Sequence, residues 1–238
     1  MKISPIKPDN DTLELLRSSP IGMHELWTPE GFTTARAPVS LAQFDPEIFG
    51  VELPHTHRCA DETVDYVYNA RAPLDDIESL ELPDELSHFR EFLGVAFGAE
   101  IAISPLLASY VGVIRIKQKI EAIGTAMNEA THIHFDMFTE PGEPKSRQVI
   151  AAGPGNDTTG CYNQAFDVSN APSVTSSNSI EIDRFAHEVF VPQADPENIV
   201  YPRPGESVMV DTLTPHFAPV STTVHLRTFA RVTFSIRK

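Results

Sequence analysis

The strongest constraint on the fold lies in the second half of the chain, where short apolar and β-branched segments alternate with turns. From about Tyr110 onward, loops rich in Gly, Pro, Asn and Ser, such as GPGNDTTG, separate segments of strand composition: YVGVIRIKQKI, RQVIAAG, ESVMVDTL and RTFARVTFSI. Many short strands divided by turn residues are typical of an all-β sandwich or barrel. We therefore expect a mainly-β fold with a helical cover, in the form of a double-stranded β-helix of the jelly-roll or cupin kind.

The first half of the chain has a mixed pattern. Asn10–Arg17 predicts a short helix, and residues 83–97 predict a longer one, because their apolar side chains recur at helical spacing. We expect the longer helix to cover a sheet. Val64–Tyr68 has the composition of a strand.

No segment has the composition of a linker, and the length suits one substantial core. The sequence therefore predicts a single domain, 1–238. Within it we expect a mixed helical and extended region over about 1–109 and the β-helix core over about 110–238.

The charge balance narrows the class of partner. The chain has 33 acidic and 18 basic residues and a net charge of −15, which argues against nucleic acid. No segment approaches the roughly 18 apolar residues needed to cross a bilayer, and the first residues lack the apolar stretch of a secretory signal. Cys59 and Cys161 are too few for a disulfide framework and are expected to be reduced thiols. We expect a cytoplasmic protein that acts on a small molecule and has no membrane partner; the oligomeric state stays open, with a homodimer among the alternatives.

A cluster of potential metal ligands lies on one predicted strand. His132, His134 and Asp136 are two residues apart, so they point to one side of a strand. His216 is the best candidate for a distant third ligand, because it follows an apolar strand and a turn, where a barrel mouth would lie. Two imidazoles and one carboxylate on one face of an octahedron are associated with non-haem iron(II) oxygenases. We therefore predict that His134, Asp136 and His216 bind the metal and are catalytic.

The C-terminal strand carries a second signal. In HLRTFARVTFSIRK, Arg227, Arg231 and Ser235 fall on one face, and the other face is apolar. If the apolar face packs on the helical cover, the two arginines point into the barrel. Burying a guanidinium without a partner is costly, so at least one arginine should meet an anion. A dicarboxylate co-substrate would supply that anion, because arginine can hold a carboxylate through two parallel hydrogen bonds.

With these residues identified, the second half of the chain resembles the Fe(II)/2-oxoglutarate-dependent dioxygenases. More narrowly, it is similar to the compact bacterial group that includes the L-isoleucine 4-hydroxylase, whose members hydroxylate free amino acids. The resemblance covers about Tyr110 to the end and is carried by these stretches: VIRIKQK, HIHFD, NDTTGCYNQAF and PHFAPVSTTVHLRTFARVTFS. The chain departs from the pattern in a longer segment between Asp136 and His216 and in its first half.

The resemblance implies a chemistry and a set of roles. It implies that His134, Asp136 and His216 hold Fe(II), and that Arg227 binds a carboxylate of 2-oxoglutarate, with Arg231 and Ser235 as further candidates for that co-substrate. It also implies oxidative decarboxylation of 2-oxoglutarate by dioxygen. Related halogenases lack the carboxylate ligand and bind chloride in its place. This chain keeps a carboxylate at Asp136, so hydroxylation of a small free amino acid or related acid is the expected outcome. Candidate substrate contacts are Arg58, Arg115, His132 and Asn163.

Two other interpretations stay open. One is a cupin metalloenzyme of different chemistry, an isomerase or thiol dioxygenase, with ligands His132, His134, Glu140 and His216. The same fold and nearly the same residues would serve it. Glu140 precedes Pro141-Gly142, which has the composition of a turn leaving the barrel, and this counts against it. The other interpretation is a metal-free barrel that binds a sugar or a small acid.

Overall fold

The computed structural model describes residues 2–18, 32–34, 38–54, 57–58, 64–104, 110–121, 133–134, 147–153, 158–168, 184–212, 214–218 and 225–236. Within these ranges the chain forms two α-helices, α1 (Asn10–Ser18) and α2 (Arg90–Ile103). It also forms twelve strands: β1 (Phe32–Thr34), β2 (Val39–Gln43), β3 (His57–Arg58), β4 (Val64–Pro73), β5 (Tyr110–Glu121), β6 (Arg147–Gly153), β7 (Gly160–Tyr162), β8 (Ala165–Asp167), β9 (Ile199–Val200), β10 (Glu206–Asp211), β11 (His216–Phe217) and β12 (His225–Ile236). No helix among these residues has the length and apolarity to cross a membrane.

Seven strands form one antiparallel sheet in the order β2, β10, β6, β12, β5, β4, β3. Three of them, β2, β3 and β4, come from the first half of the chain, so the sheet extends beyond the core that the sequence placed at about 110–238. β4 is longer than the predicted strand Val64–Tyr68. The alternation of buried and exposed side chains continues past Tyr68, since Tyr66 and Ala72 are both buried on the same side of the sheet.

One side of this sheet, which we call the cover face, packs on α2. Its buried residues belong to the same core cluster as the helix: Ile114, Ile116, Val149, Ala230, Val232 and Phe234. The rings of Phe97 on α2 and Phe234 on β12 meet edge to face at 5.3 Å. Gly112 permits this close approach, since a Cβ there would lie 2.5 Å from Cζ of Phe97. The predicted apolar face of the last strand therefore packs on the helical cover.

The opposite side, which we call the inner face, faces a second, three-stranded sheet in the order β11, β7, β9. Ile150, Val208, Val210 and Phe229 of the inner face cluster with Cys161 of β7. The outer side of the small sheet packs on the helical segment around Ala186–Phe190 through another cluster that includes Ile133, Tyr162, Phe166 and Phe217. The two sheets thus face each other and meet through the apolar cluster around Cys161.

The predicted helices form with altered limits. α1 matches Asn10–Arg17 within one residue, and its first turn is capped by Asp9, whose carboxylate accepts a 2.7 Å hydrogen bond from the Thr12 backbone N–H. The predicted helix over 83–97 divides into a 3-10 turn, Asp84–Phe89, and α2, which continues to Ile103. α2 extends further because Ala99 and Glu100 are also buried against the sheet.

Candidate functional site

The structure places His134 and His216 opposite each other. They form an antiparallel bridge in which each backbone N–H donates to the other residue's carbonyl at 2.9 Å. The centroids of the two imidazoles are 4.4 Å apart, with ring planes tilted by 54°. His216 is 7% exposed and His134 is half-buried. Two residues that are distant in sequence therefore bring their rings together at one point of the small sheet.

Both rings point towards the interior between the sheets. His216 pairs in register with Cys161, which is fully buried in the inner cluster. The neighbours of these residues along each strand, Ile133 and Phe217, pack in the outer cluster instead. Because successive side chains of a strand point to opposite faces, His134, His216 and Cys161 share the inward side.

A hydrogen bond sets the tautomer of His216. Its Nδ1 lies 2.8 Å from the carbonyl oxygen of Thr214. A carbonyl only accepts, so Nδ1 carries the proton and the neutral ring has its lone pair on Nε2. The backbone N–H of Thr214 in turn donates to the Asp211 carbonyl at 3.0 Å, which fixes the turn between β10 and β11. Histidines that bind metals usually donate their other ring N–H in this way, which orients the ring.

The predicted co-substrate residues lie on the inner face of β12. Arg227 is 3% exposed, whereas Arg231 and Ser235 are half-buried. Their position follows from alternation, because Ala230, Val232 and Phe234 of the same strand are buried on the cover face. Arg227 is thus the most deeply buried of the three. The neighbouring strand β5 places Lys119 opposite Arg227 and Arg115 opposite Arg231.

Gln148 is an inner-face residue that the sequence analysis did not single out. It is 1% exposed, and it pairs in register with Val210 on one side and Thr233 on the other. Its amide oxygen has no hydrogen-bond partner among the described residues. A buried polar atom of this kind calls for a ligand or a water molecule. In RQVIAAG, alternation places Gln148 on the same face as Ile150, which indicates a polar residue on a buried side. That segment alone does not show which strands surround Gln148.

Of the other predicted site residues, Asn163 and Arg115 are exposed and the rest are not described. His132, Asp136 and Glu140 lie outside the described residues, and so does the side chain of Arg58 on β3. Asn163 is exposed just after β7, where its backbone N–H donates to the Asn198 carbonyl at 2.9 Å. Arg115 is exposed at the open part of the inner face. Within the described ranges there is no group of three potential metal-binding side chains, so the complete predicted triad is not tested.

Several solved structures are similar to this chain at low sequence identity. EvdO2 from Micromonospora carbonacea var. aurantiaca, determined with 2-oxoglutarate, is 15% identical, with a TM-score of 0.51 over 100% of this chain and 94% of that one. AviO1 from Streptomyces viridochromogenes Tue57 is 12% identical, with a TM-score of 0.43 over 97% and 96% of the two chains. A prolyl-4-hydroxylase from Pseudomonas putida is 8% identical, with a TM-score of 0.38 over 96% and 98%. No protein-family model and no curated protein matches the sequence.

The likeness to EvdO2 covers both sheets and the helical cover. The chain folds as a double-stranded β-helix. The predicted fold class is therefore confirmed. At 15% identity the likeness concerns the fold, and the chemistry has to be argued from the residues of this chain.

Proposed function

We propose that this protein is an Fe(II)- and 2-oxoglutarate-dependent dioxygenase. The observation that carries the proposal is the pair of inward-pointing imidazoles, His134 and His216, within a double-stranded β-helix. Arg227, buried on the facing sheet, would bind a carboxylate of the co-substrate. EvdO2, which shares the fold, was determined with 2-oxoglutarate bound.

The spacing of the two rings fits a shared metal ion. An imidazole nitrogen lies about 2.1 Å from a bound divalent ion, and the ring centroid is roughly 1.1 Å behind it. Two imidazoles at about 90° to each other would then have centroids roughly 4.5 Å apart. The value in this protein is 4.4 Å. Asp136, two residues after His134, would complete the facial set of two histidines and a carboxylate.

Iron(II) with 2-oxoglutarate and dioxygen would supply oxidative decarboxylation to succinate and CO2, coupled to oxidation of a substrate C–H bond. The protein would contribute orientation and exclusion of water. The Thr214 carbonyl would hold the His216 ring with Nε2 towards the metal, and the apolar cluster around Phe229 and Cys161 would keep the interior dry. Arg227 would bind a carboxylate of 2-oxoglutarate through two parallel hydrogen bonds.

The direct test replaces each proposed ligand. We expect His134→Ala, Asp136→Ala and His216→Ala to reduce bound Fe(II) and to abolish succinate formation, while circular dichroism shows an unchanged fold. His187→Ala, at an exposed helical position, is the matched control and should keep both properties. Normal iron content and turnover in His216→Ala would refute the proposal.

His132→Ala separates this function from the His-x-His cupin alternative. In our proposal His132 supports the site without binding the metal, so His132→Ala keeps measurable activity. If His132→Ala loses iron while Asp136→Ala retains it, the cupin alternative is correct. A protein that takes up no iron under anaerobic conditions would instead favour a metal-free binding barrel.

We further propose that the substrate is a small free amino acid or a related acid, which the enzyme hydroxylates. Support comes from the resemblance to amino-acid hydroxylases and from the cations of the inner face, of which the exposed Arg115 would bind a substrate carboxylate. A site built around such a pair rejects analogues that lack the carboxylate. Succinate formation should therefore be much faster with free acids than with their amides or with short peptides. If the amides turn over as fast as the free acids, the proposed substrate class is wrong.

A further inference from the structure

Gln148 lies on the inner face of the large sheet, outside the proposed contacts to iron and 2-oxoglutarate. Its side chain is 1% exposed, and its amide oxygen accepts no hydrogen bond from the described residues. A buried acceptor without a donor is destabilising, and buried polar atoms are nearly always hydrogen-bonded. The Gln148 oxygen is therefore expected to meet a donor from a ligand or a water molecule.

The cross-strand neighbours of Gln148 do not supply that donor. In register, Val210 of β10 lies on one side of it and Thr233 of β12 on the other. Directly opposed residues of a sheet have Cβ atoms about 4.5–5.5 Å apart, so both side chains adjoin the amide. Val210 is apolar, and the Thr233 hydroxyl makes no hydrogen bond to the Gln148 oxygen. The described part of the sheet around Gln148 thus leaves this oxygen open to another group.

Gln148 is also close to the imidazole pair. Its register partner Val210 belongs to the apolar cluster around Cys161, and so does Ile150, two residues along β6 on the same face. Cys161 in turn pairs in register with His216 on the small sheet. The Gln148 amide therefore lies at the edge of the cluster over which the two imidazoles meet.

Arg227, the proposed contact for 2-oxoglutarate, lies at the opposite edge of the same cluster. Phe229, the next inner-face residue on β12, packs in the cluster, whereas Thr233, beside Gln148, is six residues beyond Arg227. Six residues of a strand span roughly 20 Å at about 3.3 Å per residue. A 2-oxoglutarate molecule that reaches from Arg227 to the metal would therefore leave the Gln148 side of the site to the substrate.

The chemistry of the unpartnered atom narrows the group that it can bind. An amide oxygen accepts hydrogen bonds and does not donate them, so its partner must carry an N–H or an O–H. Dianionic 2-oxoglutarate has acceptor oxygens and neither kind of donor. The ammonium group of a free amino acid carries three N–H donors. This difference favours the substrate over the co-substrate as the ligand of Gln148.

We propose that Gln148 binds the substrate, and that its amide oxygen accepts a hydrogen bond from the substrate's ammonium group. This inference rests on the proposed function and adds a specificity-determining residue to it. A site that hydrogen-bonds an N–H of its substrate rejects analogues that lack this group, because the protein acceptor is then left unpaired.

Matched acids that differ only at C2 test the contact. The probes are the common free amino acids, their 2-hydroxy analogues and the acids with hydrogen at C2, for example L-isoleucine, 2-hydroxy-3-methylpentanoic acid and 3-methylpentanoic acid. Each is titrated calorimetrically into protein that holds Mn(II) and saturating 2-oxoglutarate. We expect the amino acids to bind more tightly than both analogues.

The effect of substitutions should follow the group at C2. Gln148→Met should raise the Kd of the amino acid about tenfold, as expected for one lost hydrogen bond to a charged group. The Kd of the acid with hydrogen at C2 and the Kd of 2-oxoglutarate should each change less than twofold. Gln148→Glu keeps an acceptor and should retain the preference for the amino acid. Gln118→Met, at the equally buried glutamine of the cover face, is the control and should leave this preference unchanged.

Several results would overturn the inference. Equal changes for the amino acid and the acid with hydrogen at C2 would mean that Gln148 serves the fold or binds a water molecule only. Weaker 2-oxoglutarate binding in Gln148→Met, or a lost amino-acid preference in Gln148→Glu, would mean that the amide donates to a carboxylate. Tighter binding of the 2-hydroxy acids, or no binding of any amino acid, would exclude the ammonium. Failure of the proposed function differs from all of these, since the protein would then bind neither Mn(II) nor 2-oxoglutarate.

Discussion

On the two faces of the seven-stranded sheet, Gln118 and Gln148 are equally buried, at 1% exposure each, but differ in hydrogen bonding. On the cover face, the Gln118 amide accepts from the Leu53 backbone N–H and donates to the Val51 carbonyl and the Thr228 hydroxyl, each at 2.8 Å. On the inner face, the Gln148 amide oxygen has no partner among the described residues. The Gln118 amide is thus satisfied by protein groups, whereas the Gln148 oxygen lies towards the interior between the sheets.

The two buried arginines of this sheet lie on opposite faces. Arg147, on the cover face of β6, makes a 2.8 Å ion pair with Glu100 of α2, and both side chains are almost fully buried. Arg227 is also buried, but the residue opposite it on the neighbouring strand is Lys119. The Arg147–Glu100 ion pair joins α2 to the sheet, and Arg227 binds a carboxylate of 2-oxoglutarate in our proposal. Substitution of Arg147 should therefore change stability, and substitution of Arg227 should change ligand binding.

Arg147→Met should produce the largest loss of stability. Removing one partner of a buried ion pair costs about 3–5 kcal/mol, because the other charge stays buried without compensation. We expect this decrease in the free energy of unfolding at pH 7, measured by urea denaturation. Glu100→Met with Arg147→Met should recover part of it, since the Glu100 carboxylate is then no longer buried without its partner, whereas buried Asp211, opposite position 147 in register, stays. If Arg147→Met is as stable as the unmodified protein, the ion pair does not hold α2 to the sheet.

The loss in Arg147→Met should also depend on pH. Complete burial raises the pKa of the Glu100 carboxyl, and Arg147 opposes that rise. Without Arg147 the pKa in the folded state rises further, so the folded state binds a proton that the unfolded state has released. Stability of the variant therefore falls as pH increases above the ordinary carboxyl range, and the loss is smallest below it. A constant difference from pH 4 to 7 would contradict this account.

Arg227→Ala should have its largest effect on binding. Losing one partner of a largely desolvated charge pair costs about 2–5 kcal/mol, roughly 30-fold or more in the Kd of 2-oxoglutarate. Arg231→Ala should matter less, because it lies four residues further along the same face, roughly 13 Å away. Titration of 2-oxoglutarate into Mn(II)-loaded protein measures both. A larger effect of Arg231→Ala would reverse the assignment.

Gln118→Met tests whether the hydrogen-bonded glutamine of the cover face serves stability alone. The substitution keeps the shape of the side chain but leaves the buried Leu53 N–H without an acceptor, which costs about 1–3 kcal/mol. We expect the free energy of unfolding to fall by that amount, while the Kd of 2-oxoglutarate stays within twofold. Weaker 2-oxoglutarate binding at unchanged stability would show that the cover face is not separate from the site.

The strands differ in how much the sequence revealed about them. The two faces of β12 were predictable, because period-two alternation and a strongly apolar set fix which side is buried. His216 was predictable as a ligand candidate from its place after a strand and a turn. The pairing of His216 with both His134 and Cys161 was not, because it depends on contacts between distant segments. β2 was missed for a related reason: VSLAQ alternates weakly and gains its place by pairing with β10.

Gln148→Met should have the smallest effect, and it best separates a glutamine that binds a ligand from one that stabilises the fold. The amide oxygen of Gln148 has no partner among the described residues, so an apolar side chain of similar shape should change the free energy of unfolding by less than about 1 kcal/mol. If the amide binds a ligand, the lost hydrogen bond, about 0.5–1.5 kcal/mol, should reduce 2-oxoglutarate-dependent succinate formation roughly 2- to 12-fold. Gln118→Met is the matched control, with the opposite pattern of effects. A Gln148→Met variant that loses as much stability as Gln118→Met, with unchanged turnover, would show that both glutamines serve the fold and that the inner face is not reserved for ligands.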